Sequence, residues 1–265
     1  MDIHLKNIFK KYPRAEAPAL EMADLLIRGG ETHGILGHSG SGKSTMLNLL
    51  ALLDRPNADT GKDAELIFYP EGQARPGYRW AGKKSEAPQG VTNIQNENKW
   101  RRQHYSFVFQ SGYLLGNIPV LDNVLMPLRL RGKTSGKNEQ TAKILLERMG
   151  ITSDKWGRLP HQISGGEYQR VAVARSVVHS PSVVFADEPT GSLDPEKGEV
   201  AMNTLKTWLT DKSDCKSKLL VLVTHNLSHV MKYCDSVTVL RGGRKVLHGK
   251  TRDHTEQTIG RAMTQ

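Results

Sequence analysis

The sequence predicts an α/β fold with a parallel β-sheet at its centre. An apolar segment at residues 33–36 runs into a glycine-rich loop, and apolar residues at helical spacing follow at 45–53. This order of strand, loop and helix is the first half of a βαβ unit. The almost wholly apolar segment at 219–223 is typical of a parallel strand that is buried on both faces.

The size and composition of the chain limit the kinds of protein it can be. It has 265 residues, of which 37% are hydrophobic and 24% charged, and a formal net charge of +10. Its mean hydropathy is -0.48. These values fit one large or two small globular domains and exclude disordered and collagen-like chains. The longest apolar run, at 49–53, is far shorter than the roughly 18 residues of a membrane-spanning helix. The first residues lack a secretory signal, so we expect a cytoplasmic protein.

The other elements follow from the period of the apolar residues and from the positions of glycine and proline. Alternating or continuous apolar residues predict strands, and apolar residues three or four apart predict helices. Gly242 and Gly243 lie between two strand segments and predict a hairpin turn. The predicted strands are 3–9, 25–27, 33–36, 104–109, 183–186, 219–223, 237–240 and 245–247, and the predicted helices are 45–53, 120–130, 138–149, 166–179, 195–209 and 226–233.

Residues 56–102 form a basic insertion that is rich in glycine and proline. Its composition predicts a variable, partly flexible excursion at the edge of the fold without long regular elements. Between Arg79 and Arg102, six basic residues (Arg79, Lys83, Lys84, Lys99, Arg101 and Arg102) accompany two acidic ones (Glu86 and Glu97). The excess charge can serve as a docking surface for a partner or for anionic lipid headgroups, or it can simply keep the insertion solvated. Trp80 and Trp100 at its two ends indicate that its base packs on something.

The two cysteines and the overall charge are less specific. Cys215 and Cys234 are too far apart in the sequence for a redox or zinc motif, so both are expected to be reduced structural thiols. The positive charge suggests an acidic partner, and by itself it leaves nucleic acid and anionic lipid equally open.

The loop after the strand at 33–36 has the pattern of a phosphate-binding loop. It fits G-x-x-x-x-G-K-[ST] in full, between a strand and a helix as the motif requires. Its glycines let backbone N–H groups surround the α- and β-phosphates, and the helix start adds partial positive charge. Lys43 can reach the β- and γ-phosphates, and the Ser44 hydroxyl can bind Mg²⁺. The sequence therefore predicts a nucleotide site made by Gly37, His38, Ser39, Gly40, Ser41, Gly42, Lys43, Ser44 and Thr45.

Two acids end the apolar strand at 183–186. A parallel strand delivers its last residues to the sheet edge that carries the phosphate loop. We expect Asp187 to hold Mg²⁺, directly or through water, and Glu188 to orient and deprotonate the water that attacks the γ-phosphate. A strand that ends in Asp-Glu is by itself weak evidence for a metal-binding and catalytic pair. It supports that interpretation here because the chain also contains a complete phosphate loop.

Several short motifs resemble those of the ATP-binding-cassette (ABC) ATPases. Ile163-Ser164-Gly165-Gly166-Glu167, at the start of a predicted helix, resembles the signature sequence of that family. Gln110 at a strand end resembles the Q-loop glutamine, and Ser192-Leu193-Asp194 resembles the D-loop. His225 resembles the switch histidine, and Tyr12 the aromatic residue of the A-loop. The resemblance covers nearly the whole chain except the basic insertion and about the last dozen residues.

The resemblance implies a role for each of these residues. Tyr12 would stack on adenine, the alternative being a partly buried tyrosine at a strand end. Gln110 would contact Mg²⁺ or water, and His225 would donate a hydrogen bond to the γ-phosphate. A further set would bind the nucleotide of a second copy, or of a homologous cassette, in a head-to-tail dimer around two ATP molecules: Ser164, Gly165, Gly166, Glu167 and Asp194.

The resemblance also implies a domain plan. The fold would be that of a P-loop NTPase, with a RecA-like parallel-sheet core, an antiparallel β subdomain and an α-helical signature subdomain. We expect one ABC ATPase domain over 1–265. Its parts would be the core with the β subdomain at 1–110 and 181–250, the helical subdomain at 111–180 and a C-terminal tail at 251–265.

The signature region favours one branch of the family. Glu167 and the following Gln-Arg-Val-Ala are similar to cassettes that serve lipoprotein release, macrolide and toxin export, peptide-antibiotic resistance and cell division. Ile163, Tyr168 and Asn226 depart from the leucine, glutamine and aspartate usual at these positions.

The resemblance implies an ATPase that drives a separate polytopic permease at the inner face of the cell membrane. The alternative is an ABC-type ATPase that acts on nucleic acid or ribosomes. Such proteins usually carry two cassettes or a long coiled coil, whereas this sequence has one phosphate loop and no heptad repeat. We therefore expect no nucleic-acid partner.

Overall fold

The computed structural model describes residues 1–57, 64–70, 77–81, 94–133, 135–211 and 217–264, with only the backbone at 94–96. The chain divides into two compact units, Met1–Arg101 with Cys215–Gln265, and Arg102–Asp214. Cys215 and part of the basic insertion, including Lys83, Lys84 and Glu86, lie outside the described residues. The finer domain plan expected from the sequence stays a prediction.

Strands and helices alternate along much of the described chain. The strands are β1 (Asp2–Lys10), β2 (Leu20–Ile27), β3 (Thr32–Leu36), β4 (Glu65–Tyr69), β5 (Tyr78–Ala81), β6 (Tyr105–Val108), β7 (Val183–Asp187), β8 (Leu219–Thr224), β9 (Ser236–Arg241) and β10 (Arg244–Lys250). The helices are α1 (Lys43–Leu50), α2 (Ile94–His104), α3 (Val120–Arg129), α4 (Gly136–Arg148), α5 (Gly165–Val177), α6 (Pro195–Thr210), α7 (Leu227–Tyr233) and α8 (Glu256–Thr264).

The first unit is built on a mixed sheet with the strand order β5-β4-β1-β2-β10-β9-β3-β8. Its β3 pairs in parallel with both β8 and β9. Every residue of β3 and β8 is buried, as expected for strands covered on both faces. The apolar segments at 33–36 and 219–223 are therefore neighbouring parallel strands, as the sequence predicts.

The other end of this sheet is antiparallel. β1 pairs antiparallel with β2 and β4, and β4 pairs antiparallel with β5. Ile3, Leu5 and Ile8 of β1 are buried while most of the residues between them are partly exposed, which gives the strand one core face. Leu5 lies between Leu25 and Leu66 of the two neighbouring strands. This is the antiparallel β part that the family resemblance implies.

The expectation that residues 56–102 form an excursion without long regular elements is wrong for their described part. This part contributes β4 and β5 at the edge of the sheet and most of the 11-residue helix α2. The Trp100 ring lies 6.3 Å from Phe68 and 5.8 Å from Tyr78, centroid to centroid. At Trp100 the base of the insertion therefore packs on its own strands β4 and β5, and β4 in turn pairs with β1 of the sheet. The apolar run of β4 is the signal that the glycine and proline content obscured.

The second unit combines two parallel strands with a helical layer. β6 pairs in parallel with β7. The central helix α5 packs against α3, α4, α6 and β6, and all its residues from 169 to 174 are buried. The buried Asn123 of α3 bonds the backbone of Leu115 in both directions, and its amide also donates to the carbonyl oxygens of Ile118 and Pro119. That single side chain therefore fixes the loop that leads into α3.

Two further differences from the sequence-based prediction concern the last part of the chain. The predicted tail at 251–265 contains α8, which buries Ile259 and Met263. Asn226 lies just before α7 as its N-cap, and its side chain accepts a hydrogen bond from the N–H of His229.

None of the helices in the described part of the chain combines the length and apolar character that crossing a bilayer requires.

Candidate nucleotide site

The predicted phosphate loop follows β3 directly and leads into α1. A Cβ added at Gly37 would lie 2.4 Å from the carbonyl oxygen of Leu240, so only glycine fits there. Gly42 has a φ of 100°, and a Cβ on it would lie 2.5 Å from the carbonyl oxygen of Ala19. Close packing thus explains the first glycine of the motif, and close packing together with left-handed backbone explains the last.

The ammonium group of Lys43 lies against the loop itself. It donates hydrogen bonds to the carbonyl oxygens of Gly37, at 2.7 Å, and His38, at 2.8 Å. Ser44 is exposed at the start of α1, whereas Thr45 is buried. His38, Ser39 and Gly40 are exposed and Ser41 is buried. The tip of the loop and the Lys43–Ser44 pair are therefore the parts open to a ligand from solvent.

The hairpin turn between β9 and β10 supports this loop from behind. The N–H of Gly243 donates to the carbonyl oxygen of Ser41 at 3.1 Å. The Gly243 Cα lies 3.4 Å from the Cβ position that would be built on Gly42. The sequence analysis interpreted Gly242 and Gly243 only as a hairpin signal, because a contact across 200 residues leaves no local pattern.

His225 emerges at the same sheet edge as the phosphate loop. Leu36, the last residue of β3, is the register partner of Thr224, the last residue of β8. Gly37 and His225 are the next residue of each strand, so both begin their loops at the same level. His225 is exposed, and the N–H of Asn226 donates to the Thr224 hydroxyl at 3.0 Å. The structure thus brings the predicted switch histidine to the edge that carries the phosphate loop.

Tyr12 lies beyond the end of β1 and is 37% exposed. Its hydroxyl donates to Asp54 at 3.1 Å, and the Lys10 ammonium lies 4.9 Å from the ring centroid. Partial burial tends to raise the pKa of Asp54. Hydrogen bonds from Lys10, the Arg55 backbone and Tyr12 outweigh this effect and lower that pKa. Lys10 and Asp54, which the sequence analysis did not single out, therefore hold the tyrosine while the ring stays partly open.

In the second unit, the predicted acids and Gln110 share one sheet edge. Val108 of β6 is the register partner of Ala186 of β7. Asp187 is the last residue of β7, and Gln110 follows β6 by two residues, so both strands end at this edge. Glu188 has a φ of 46°, a left-handed conformation that is uncommon outside glycine. Strained backbone of this kind clusters at functional sites.

The loop after Gln110 is fastened to α5. The Tyr168 hydroxyl accepts a hydrogen bond from the N–H of Leu114 at 2.7 Å. Arg175 donates to the carbonyl oxygens of Gly112 and Tyr113 at 2.6 and 2.7 Å. Tyr168, which departs from the related branch in sequence, thus binds the loop that the resemblance identifies as the Q-loop. The motifs that carry the family resemblance give no sign of these contacts.

The signature segment forms the capped start of α5. The Ser164 hydroxyl accepts from the N–H of Glu167, and the Glu167 carboxylate accepts from the N–H of Ser164 at 2.9 Å. This reciprocal pair is a capping box. Lys155 forms an ion pair with the same carboxylate. Burial works against ionisation of Glu167, but the bonds from Lys155 and Ser164 lower its pKa to about 2. Ser164 and Gly165 remain exposed.

Asp194 caps the start of α6. Its carboxylate accepts from the N–H of Lys197 at 3.0 Å and pairs with the Lys197 ammonium at 2.7 Å. These two contacts lower the pKa of Asp194. Pro195 occupies the first helical position, where its missing N–H costs nothing.

Each unit therefore gathers a different part of the predicted site. The first unit places the phosphate loop and His225 at one sheet edge, and also carries Tyr12. The second unit places Gln110, Asp187 and Glu188 at another edge, and holds the signature residues and Asp194 at helix starts. The role of each residue toward a nucleotide stays a prediction.

Comparisons with known proteins identify the family. The model of the ABC transporter family matches residues 20–191. An uncharacterized ABC transporter ATP-binding protein of Methanocaldococcus jannaschii, MJ1508, is 36% identical over 249 residues, which are 92% of this chain and 97% of that protein. The lipoprotein-releasing system ATP-binding protein LolD of Idiomarina loihiensis is 35% identical over 248 residues, covering 93% and 96% of the two chains.

Two further matches concern a longer protein and a solved structure. The macrolide export ATP-binding/permease protein MacB of Rhodopseudomonas palustris is 33% identical over 265 residues, but this chain spans only 36% of its length. The dimeric post-hydrolysis structure of the ATP-binding cassette MJ0796, bound to ADP and Pi, has a TM-score of 0.76 and 31% identity. The match covers 94% of this chain and 99% of that one. It confirms the predicted P-loop NTPase fold with its antiparallel β part and helical part. This chain therefore belongs to the ABC transporter family, as an ATP-binding cassette that hydrolyses ATP.

Proposed function

We propose that this cassette drives a separate polytopic permease of the export or lipoprotein-release type, at the cytoplasmic face of the cell membrane. LolD, which this chain matches over 96% of its length, is by its name the ATP-binding protein of a lipoprotein-releasing system. MacB and the pyoverdine protein PvdT are by their names export proteins. MetN, a methionine import protein, is 33% identical, so the direction of transport needs its own experiment.

The single observation that carries the proposal is the complete set of motif residues at two sheet edges and two helix starts. Lys43 would bind the β- and γ-phosphates, and Glu188 would take a proton from the attacking water. His225 and the N–H groups of the signature segment would meet the charge that develops on the γ-phosphate. Gln110 would orient the water, and Tyr12 would stack on adenine.

The donor set fits Mg²⁺. The Ser44 hydroxyl, the Gln110 amide oxygen and the Asp187 carboxylate are hard oxygen donors. Magnesium–nucleotide sites use one or two carboxylates together with phosphate oxygens. The chemistry that Mg²⁺ supplies when bound is neutralisation of the phosphate charge.

The proposed working state is a head-to-tail pair, formed with a second copy or with a homologous cassette. Ser164 and Gly165 are exposed at a capped helix start, where N–H groups favour an anion. Two solved structures that match this chain, both of the cassette MJ0796, are dimeric. In the proposed pair, each signature segment, with Glu167 and Asp194 beside it, faces the ATP held by the phosphate loop of the partner.

A groove of about 330 Å³ in the second unit is the proposed docking place of the permease. Arg102, Arg131 and Arg175 lie along it, and none of the described side chains that line it is acidic. Arg131 and Arg175 donate hydrogen bonds to backbone carbonyl oxygens. Burial, together with repulsion from Arg102, lowers the pKa of Arg131 to about 10. Arg131 therefore stays charged at neutral pH. Aromatic and apolar side chains form most of the remaining wall: Tyr105, Phe107, Phe109, Tyr113, Met126 and Leu130. The fitting partner is a short apolar segment of the permease that carries a carboxylate.

Contact of the basic insertion with anionic lipid headgroups is a further part of the proposal. Arg79 pairs with Glu65, and Arg101 donates to the carbonyl oxygen of Leu52, so these two side chains serve the fold. Lys99 and Arg102 are the exposed basic residues in the described part of this segment.

Replacing Glu188 tests the catalytic part. Glu188→Gln is expected to bind ATP normally, to lose steady-state hydrolysis, and to accumulate as an ATP-bound dimer, because the amide cannot accept the proton from water. Phosphate release and size-exclusion chromatography with ATP measure the two effects. Glu147→Gln, a change to an exposed acid on α4, is the matched control and should behave as the natural protein. Hydrolysis by Glu188→Gln at the natural rate would contradict the assignment.

A pair of surface variants tests the membrane partner. Leu130, at 62% exposed, lines the groove, whereas Ile144, at 40% exposed, lies outside it. Leu130→Glu is expected to abolish co-purification of a polytopic permease from detergent-solubilised membranes, and Ile144→Glu to retain it, while both keep the ATPase rate of the isolated cassette. Peptide sequencing of the recovered permease then separates the export type from the import type. Recovery of nucleic acid or ribosomes, with no permease, would overturn the proposal.

A further inference from the structure

We propose that Gln169 is a positioning residue that sets the relative position of Gln110 and Glu188. Gln169 lies on α5, five residues after Ser164, and is 2% exposed. This inference rests on the proposed function, since it assigns Gln169 an effect on the catalytic carboxylate.

One side-chain amide joins two separate segments. The Gln169 Nε2 atom donates to the carbonyl oxygen of Phe109 at 3.2 Å and to that of Pro189 at 3.2 Å. A glutamine amide has two N–H bonds, so each carbonyl receives one. Both partners are acceptors, which leaves no other orientation of the amide that satisfies them.

The two segments are the ones whose position matters for hydrolysis. Phe109 immediately precedes Gln110, and Pro189 immediately follows Glu188. Glu188 is held at a φ of 46°, and backbone in this region persists only where the surroundings fix it. A turn bond from Gly191 N–H to the Glu188 carbonyl oxygen, at 3.1 Å, supports one side of the residue. The Gln169 bond to Pro189 supports it through the next peptide.

The same glutamine also packs against the loop after Gln110. Gly112 has a φ of 66°, and a Cβ built on it would lie 3.3 Å from the Gln169 Oε1 atom. The loop therefore approaches Gln169 closely on its carbonyl side while Phe109 and Pro189 occupy its amide side.

Gln169 lies on the same helix as the signature segment, so this helix connects that segment to the bonds with Phe109 and Pro189. Ser164 caps the helix, and five residues at 1.5 Å each place Gln169 about 7.5 Å along the axis from it. A helix of this length moves as a rigid rod over one or two turns. A displacement of the capped start, where the nucleotide of the partner is proposed to bind, is therefore transmitted to the Gln110 and Glu188 segments through the Gln169 amide, alongside the bonds of Tyr168 and Arg175 to the loop after Gln110.

Replacing Gln169 tests the inference in the full-length cassette. Gln169→Met keeps the length and shape of the side chain but has no donor. We expect kcat per ATP-binding site to fall about tenfold or more with KM for ATP little changed, because a misplacement of about 1 Å can cost up to 10²-fold. Ser176→Ala is the matched control, since it removes a buried hydrogen bond to Val173 two turns further along the same helix. It should keep the natural kcat.

Two further measurements separate positioning from a loss of folded protein. Gln169→Glu keeps the shape but sets a carboxylate against two carbonyl oxygens, so its kcat relative to the natural protein should rise as the pH is lowered and the carboxyl is protonated. In a Glu188→Gln background, Gln169→Met should change the residual hydrolysis by less than about twofold, because its effect passes through the missing carboxylate.

The outcomes distinguish this inference from the proposed function. If Glu188→Gln hydrolyses ATP at the natural rate, the proposed function fails whatever Gln169 does. If Glu188→Gln is inactive but Gln169→Met keeps the natural kcat, or loses no more than Ser176→Ala, the positioning role of Gln169 is wrong. An equal loss from Gln169→Met with and without Glu188 would likewise overturn it.

Discussion

Glu167 is a residue whose identity is explained by one local contact and one non-local contact. The carboxylate closes the capping box with Ser164 and pairs with Lys155. The sequence predicts Glu167 as part of a nucleotide site and shows the local S-x-x-E spacing of the box. It gives no sign of Lys155, twelve residues earlier on a separate turn, because that contact depends on how the chain folds back. A negative charge at this signature position is therefore balanced within the same unit.

The Glu167 contacts predict an acid-dependent stability. The folded pKa is about 2 against an ordinary value of 4.5, so the unfolded chain takes up this proton first. The stabilisation is present above pH 4.5 and is lost as the pH falls toward about 2. Glu167→Gln should lack this part of the pH dependence. Urea unfolding at several pH values between these limits measures it, with Glu147→Gln as a control that keeps the natural profile. Parallel profiles for all three proteins would contradict the assignment.

At the scale of elements, the sequence predicts best what is local and periodic. The strands β3, β7 and β8 and the helices α5 and α6 begin and end within about two residues of their predicted limits, because each has an apolar run with glycine, proline or a capping residue beside it. β4, β5 and α2 were missed because each depends on tertiary contacts: β5 pairs with β4, and Trp100 of α2 packs on both. β4 owes its place to β1, some sixty residues earlier in the chain. Tertiary pairing outweighed the glycine and proline content of this segment.

The hairpin turn behind the phosphate loop predicts an effect on nucleotide binding from outside the motif. Gly243 has a φ of 76°, and a Cβ on it would lie 3.0 Å from the carbonyl oxygens of Pro18 and Ala19. Gly243→Ala should push the turn away from Ser41 and weaken ATP binding severalfold. Gly242→Ala is the control, because Gly242 also has positive φ, 53°, but nothing lies within 4 Å of its Cβ position. A fluorescent ATP analogue measures both affinities, and equal affinities would show that the turn does not support the loop.

At the scale of the whole molecule, the sequence predicted the motifs but not the contacts that join one motif to another. Short sequence patterns identify the residues that touch a nucleotide in this family, since each pattern is fixed by local chemistry. Gln169 lies inside a recognised motif, yet its bonds to Phe109 and Pro189 span sixty and twenty residues.

The +10 net charge was the least specific signal in the sequence. In the described chain, Arg79, Arg101, Arg131 and Arg175 all bond groups of their own unit, so these four side chains serve the fold.

The first unit contains the buried His33 and the second the partly buried His179, and together they predict that the whole protein weakens in mild acid. Burial is the main cause that lowers the pKa of His33 to about 3, with His248 and Lys250 adding repulsion. Burial likewise lowers the pKa of His179 to about 3, with Arg131 as the next cause. His33 bonds the hydroxyls of Ser236, at 2.7 Å, and Thr238, at 2.9 Å, as a neutral ring.

The direction of the change in stability with pH follows from the unfolded state, in which a histidine takes up its proton near pH 6.5. The stabilisation is complete above pH 6.5 and falls as the pH is lowered toward 3, by roughly 1.4 kcal/mol per pH unit for each histidine. Urea unfolding followed between pH 7.5 and about 5 should therefore show a steep loss. His33→Gln, which keeps hydrogen-bonding capacity without titrating, should start less stable at neutral pH but show a shallower slope. An unchanged slope in that variant would mean that His33 is not kept neutral by the fold, and that the acid sensitivity of the protein arises from other groups.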